Sequence, residues 1–140
     1  MSFLTLFNES FARVVLDPSR LEKLVPRFYE VFLARSDRAR QLFEGVEMEA
    51  QHARLRTGLL QVGTFVTTGF SPTIALRKLA ASHQAMGLTR SDYALWVECL
   101  IEALDDVDPP VKGDLADAWR VALAPAITFM QLPSSVPAAG

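Results

Sequence analysis

Leu79-Ala80-Ala81-Ser82-His83-Gln84-Ala85-Met86-Gly87 places one of the chain's two histidines near the end of a short amphipathic helix. Ser71-Pro72 reads as the start of that helix and Gly87 as its stop, because a hydroxyl can accept from free amides and glycine tolerates the left-handed terminating residue. Chemistry that needs imidazole near neutral pH must use His83 or His52. A histidine on a half-apolar helix is by itself most often a packed residue with satisfied hydrogen bonds. The meaning of His83 therefore depends on what stands at fixed distances from it.

The segments on either side repeat the helical period. Phe3, Leu4, Phe7, Phe11, Val14 and Val15 recur at three- and four-residue intervals, which predicts a helix with one buried face. Asp17-Pro18 ends it and opens a second helix over about residues 18 to 34, with Leu21, Leu24, Val25, Phe28, Tyr29, Val31 and Phe32 inward. Pro26 falls inside this helix and predicts a kink. Ser36 caps a short third helix through Ala39, Leu42 and Phe43, where Arg35, Arg38 and Arg40 read as a solvated face. A long fourth helix, about 47 to 68, carries Met48, Leu55, Leu59, Val62 and Val66. Residues 62 to 68 have strand-like propensity but no partner strand, so the helical period decides. Beyond Gly87, Thr89 and Asp92 form a capping box for a helix with Tyr93, Trp96, Val97, Leu100, Ile101 and Leu104 inward. Pro109-Pro110 precedes a last helix over about 112 to 131, which contains Trp119 and Pro125.

The expectation is one all-α domain over residues 1 to 132, followed by a flexible tail over 133 to 140. At 140 residues the chain is long enough for a core of its own. With 14 basic and 16 acidic side chains the net charge is −2, which gives no general attraction to nucleic acid or anionic membrane. Cys99 is the single cysteine, so an intrachain disulfide is excluded and Cys99 reads as a small core residue. No apolar run reaches the roughly 18 residues of a membrane span, and the first residues lack a signal peptide's basic start; a cytoplasmic location is expected.

Taken together, Tyr29, Phe43, Gln51, Leu55, His83, Tyr93 and Trp119 resemble, in order and spacing, a bacterial globin. The type is the one found in single-domain haemoglobins and as the haem domain of flavohaemoglobins. The resemblance runs over about residues 11 to 131. It implies a globin-like fold of six to eight helices around one b-type haem (iron protoporphyrin IX), with His83 as the metal ligand. It further implies Tyr29 and Gln51 as distal donors, Phe43 as a wedge against the haem, and Tyr93 on the proximal side. Phe28, Phe32, Phe43, Leu55, Leu59 and Trp96 are the candidates for the apolar wall.

His52 stands beside Gln51 and competes for the distal place. The helix period favours Gln51, which shares a face with Met48, Leu55, Leu59 and Val62, whereas His52 would be followed four residues on by Arg56. The separation of Gln51 and His83, 83 − 51 = 32 residues, also suits the family. His52 is then expected to be an exposed helix residue.

Reversible binding of O2, NO or CO follows from the resemblance. Two donors, each giving about 1.5–3 kcal/mol to a polarised acceptor, would hold such a gas tightly and release it slowly. Oxidation of nitric oxide to nitrate, or a peroxidase-like turnover, is the enzymatic extension. No reductase sequence follows, so its electrons are expected from a separate partner. The family completes its proximal His, Tyr and Glu set near the end of the last helix, where this sequence has Ser134, 15 residues after Trp119. That departure favours gas binding over turnover. Two other classes stay open: a globin-like gas- or redox-sensing module, haem-free included, that acts through a partner protein, and a helical interaction domain unrelated to globins.

Overall fold

The computed structural model describes residues 2–108 and 113–132, and among them there are seven helices and no strand. They are α1 (Phe3–Val14), α2 (Pro18–Arg35), α3 (Asp37–Leu42), α4 (Met48–Thr67), α5 (Ile74–Ala85), α6 (Arg90–Val107) and α7 (Asp114–Gln131). The expected tail over 133–140, Ser134, Pro109-Pro110 and the first residue of the expected last helix lie outside the described residues.

Local chemistry sets the boundaries. Asp17 accepts from the Ser19 amide at 3.1 Å with Pro18 in the first turn. Ser36 ends α2 and caps α3, accepting from the Ala39 amide at 2.9 Å. Thr89 and Asp92 form the expected reciprocal capping box on α6. Gly87 adopts φ 68° just past α5, where a side chain would be strained. The α5 cap corrects the sequence reading: Thr73, not Ser71, accepts from the Leu76 amide at 3.0 Å. Ser71 and Pro72 lie in non-helical backbone ahead of the cap, and Thr73 combines the extended backbone of an N-cap with a hydroxyl three residues before the amide it serves.

α4 continues through Thr67 despite its strand-like residues. Thr64 and Thr67 each return their hydroxyl to the carbonyl four residues earlier at 2.9 Å, which satisfies the hydroxyls within the helix, while Val62, Phe65 and Val66 are buried on its inner face. α2 and α7 likewise continue through Pro26 and Pro125. The first turn of α1 departs from expectation, since Phe3 and Leu4 are 42% and 43% exposed and burial begins at Phe7.

The most extensive helix pairs are α1 with α7 and α2 with α6. Trp119 of α7 is buried against Phe7, ring edge to face at 4.8 Å, and donates its indole N–H to Ser10 Oγ at 3.0 Å. Ser10 in turn donates to Asp108 at 3.1 Å, and Arg13 and Arg20 pair with the same carboxylate at 3.0 and 3.3 Å. Burial alone would raise the pKa of Asp108, but Arg13, Ser10 and Arg20 hold it below the ordinary carboxylate value. This network fixes the end of α6 against α1 and α2.

α4 approaches α1 at Gly63, where a Cβ would meet Phe11 Cζ at 2.1 Å. Gly63→Ala is therefore expected to lose about 1–2 kcal/mol, the helix-propensity gain being smaller than the overpacking cost. Urea unfolding at unchanged m-value measures this loss; an equal or higher midpoint would show that Phe11 can yield.

Candidate functional site

Six of the seven helices, all but α1, contribute to one cavity of about 720 Å3. That lies within the roughly 300–1,000 Å3 typical of cofactor clefts. α2 supplies Phe28, Tyr29 and Phe32: Phe32 stacks on Phe28 at 5.2 Å, Tyr29 meets Phe28 edge to face at 5.2 Å, and Trp96 of α6 meets it at 5.5 Å. Phe43, just past α3, meets Tyr29 edge to face at 5.7 Å.

Tyr29 is buried, and its hydroxyl donates to the backbone carbonyl of Gln51 at 3.3 Å. Burial pushes the phenol pKa up to about 12, against a smaller opposite pull from Arg54. Tyr29 thus keeps its proton, and its capacity to donate, far above neutral pH. Gln51 lines the cavity, as do Leu55, Gly58 and Val62, which follow it at helical intervals. His52 does not line it; the imidazole is half-buried and stacks on the Tyr29 ring at 5.3 Å, so it is neither a fully exposed residue nor a cavity donor. Leu59, expected in the wall, is only 2% exposed but belongs to the core behind the cavity. It falls one step off the face that carries Leu55 and Val62.

His83 reaches the cavity from α5. Its Nδ1 lies 2.8 Å from the Leu79 carbonyl oxygen, one turn earlier on the same helix. A carbonyl only accepts, so Nδ1 carries the hydrogen and the lone pair of the neutral ring is on Nε2. Burial lowers the His83 pKa below the ordinary value of 6.5, and the Leu79 bond opposes it only in part. The ring is therefore neutral at pH 7, in the tautomer a metal ligand needs. No group of three or more His, Cys, Asp or Glu side chains capable of holding a bare ion exists among the described residues. A metal bound by His83 must bring other ligands with it.

Tyr93 is buried with Ala80 and Met130 beside the cavity, and burial, then Asp92, raises its pKa. The structure adds residues that the sequence did not single out. Lys78 and Arg54 line the cavity and make no ion pair among the described residues, and Leu123, Ala126 and Met130 close it from α7. The α7 residues recur at three- and four-residue steps, so their shared face was readable, but not what it faces.

Among the described residues, helices surround a large, mostly apolar cavity with one neutral imidazole in its wall. The comparisons give this arrangement its family: the chain belongs to the bacterial-like globins, whose family model matches residues 11–121. An uncharacterized globin-like protein of Aquifex aeolicus (strain VF5) is 25% identical over 122 residues, covering 84% of this chain and 86% of that one. The crystal structure of a Pseudomonas aeruginosa PAO1 protein, described as structurally highly homologous to a human hemoglobin, superposes with TM-score 0.77. It is 27% identical and covers 93% of this chain and 96% of that one. No described helix is long and apolar enough to cross a membrane.

The lowered pKa of His83 makes the stability of the fold pH-sensitive. Between the folded value and the ordinary value of 6.5, the unfolded chain binds more protons, so stability present above 6.5 is lost as pH falls through that window. His83→Leu should flatten this part of the stability profile, measured as urea midpoints between about pH 7.5 and 5. An identical slope in both proteins would show that His83 is as solvated as in the unfolded chain.

Proposed function

We propose that the cavity holds a b-type haem with His83 as its protein ligand, and that the protein reversibly binds a diatomic gas with Tyr29 and Gln51 as donors. The observation that carries this reading is the Leu79 hydrogen bond to Nδ1, because it leaves Nε2 of a neutral ring as the free donor atom. The walls fit the group: aromatic and aliphatic side chains for the macrocycle, and the cations Lys78 and Arg54, which make no ion pair among the described residues, for its carboxylates. Held by His83, haem would supply an iron at which O2, NO or CO could bind.

The chain's own residues set how long the gas stays. The Tyr29 hydroxyl is protonated, and its 3.3 Å bond to the Gln51 carbonyl is long, so turning it toward a polarised ligand costs little. A bond of that kind contributes about 1.5–3 kcal/mol. The Gln51 amide can add a second. Phe28, Phe32, Phe43 and Trp96 keep water from the pocket, which limits loss of an electron to the ligand.

Gas binding is favoured over turnover by the partner of His83. Leu79 offers a neutral carbonyl, which gives the ring less negative character than a carboxylate would. Nitric oxide oxidation through a separate reductase is the enzymatic extension of this reading, and gas sensing through a partner its signalling form.

Absorption spectra of the ferric, ferrous and CO-bound protein test the proposal together with His83→Ala. The expected result is a haem spectrum with an open site that changes its axial ligation in the variant. Failure to take up haem, or unaltered ligation in His83→Ala, would overturn it. Tyr29→Phe should speed O2 dissociation at least about tenfold, equal to about 1.4 kcal/mol. An unchanged rate would remove Tyr29 from the pocket's donors.

A further inference from the structure

We propose that Arg38 is the positioning residue of His83: it caps the helix that bears the imidazole and clasps that helix's end to α3 and α6. The inference rests on the haem reading for its function but on separate contacts for its geometry. Arg38 Nη2 donates to the carbonyl oxygens of Met86 and Gly87 at 3.5 and 3.1 Å, and Nε pairs with Asp92 Oδ2 at 3.1 Å. Met86 is the C-cap of α5 and Gly87 the residue after it, so these are carbonyls that the helix leaves without internal donors. A cation at a helix C-terminus is further favoured by the helix dipole.

The contact joins two stretches that have little else in common. α3 packs on α2 and on no other helix to a comparable extent. It leads into Phe43 and Val46, which line the cavity, while Met86, Leu88 and Asp92 line it from the corner between α5 and α6. Asp92 is itself held, since its Oδ2 accepts from the Thr89 amide at 2.8 Å in the α6 capping box. Arg38 therefore ties three backbone segments, and His83 is three residues from the first carbonyl it holds. The planar fork presents its N–H groups from separate nitrogens, Nη2 to the two carbonyls and Nε to the carboxylate, whereas a lysine would have to reach all three acceptors from one nitrogen.

Arg35 and Arg40 sit in the same basic run without this role. Arg35 pairs with Glu102 at 3.0 Å, and Arg40 bonds Asp37 and the Leu33 carbonyl. The functional consequence falls on retention of the cofactor: with the clasp open, the end of α5 frays, the Phe43 segment moves away from the corner, and the iron ligand loses its fixed direction.

Two measurements on Arg38→Ala, Arg38→Lys and Arg35→Ala test this. The first is the rate of haem transfer from the loaded protein to excess apomyoglobin; the second is amide hydrogen exchange of the haem-free protein. Arg38→Ala should lose haem about fivefold faster or more, with faster exchange confined to residues 82–88 and α3. Arg38→Lys should fall between, and Arg35→Ala should match the wild type. Added salt should speed haem loss by a larger factor in the wild type than in Arg38→Ala, because the partly exposed Asp92 pair adds to the carboxylate contacts of Lys78 and Arg54 that salt screens in both. Wild-type haem loss in Arg38→Ala, or exchange raised evenly over the whole chain, would overturn the proposal. If the wild-type protein takes up no haem, the proposed function fails, and the exchange pattern alone decides whether Arg38 holds the helix end.

Discussion

The hydrogen bond between His83 Nδ1 and the Leu79 carbonyl is the constraint on which the site depends. It lies within one helix and needs no distant partner, so it forms as soon as α5 does. It selects the tautomer, fixes the ring's rotation and directs Nε2 as a lone pair. Burial adds the second requirement by keeping the ring neutral. A carboxylate in place of the carbonyl would give a more basic ligand and favour bond-breaking chemistry; a carbonyl gives a ligand suited to holding and releasing. In the proposed haem complex this difference decides between storage or sensing of a gas and its consumption.

The other side of the cavity is built differently. Tyr29 is held from three directions, by Phe28, by the edge-on ring of Phe43 and by the stacked ring of His52. Its hydroxyl has a single long bond to a backbone carbonyl. The ring is thus fixed while the proton is only loosely engaged, which is what a donor needs if it is to serve a ligand that comes and goes. His52 contributes here through its ring face rather than its nitrogens. That explains how a histidine can stand next to the cavity glutamine without lining the cavity.

Much of this was legible in the chain, because helices declare themselves by local spacing. All seven segments follow from apolar periodicity and from capping residues such as Asp17, Ser36 and the Thr89 and Asp92 pair. The order of Tyr29, Gln51 and His83 gave the family. What local pattern could not give was the exact phase of a helix against its neighbours. Leu55, Leu59 and Val62 read as one apolar stripe, yet Leu55 and Val62 line the cavity and Leu59, at the stripe's edge, does not. Arg38 looks like any surface arginine until the corner after Gly87 is placed beside it. Lys78 and the cavity-lining residues of α7 become a wall only when helices distant in sequence are brought together.

The distribution of supports around the cavity follows from its size. A cleft of about 720 Å3 with mostly apolar walls leaves that surface in contact with water, and a ligand that covers it stabilises the folded chain by mass action. The helix pairs far from the cavity, α1 with α7 and α2 with α6, carry the Trp119 and Asp108 contacts and can persist without an occupant. α3 and the corner after α5 have no comparable packing of their own. They are the parts whose order is tied to occupancy, and they meet at Arg38, so the same few polar contacts that direct His83 also connect binding in the cavity to the stability of its least supported wall.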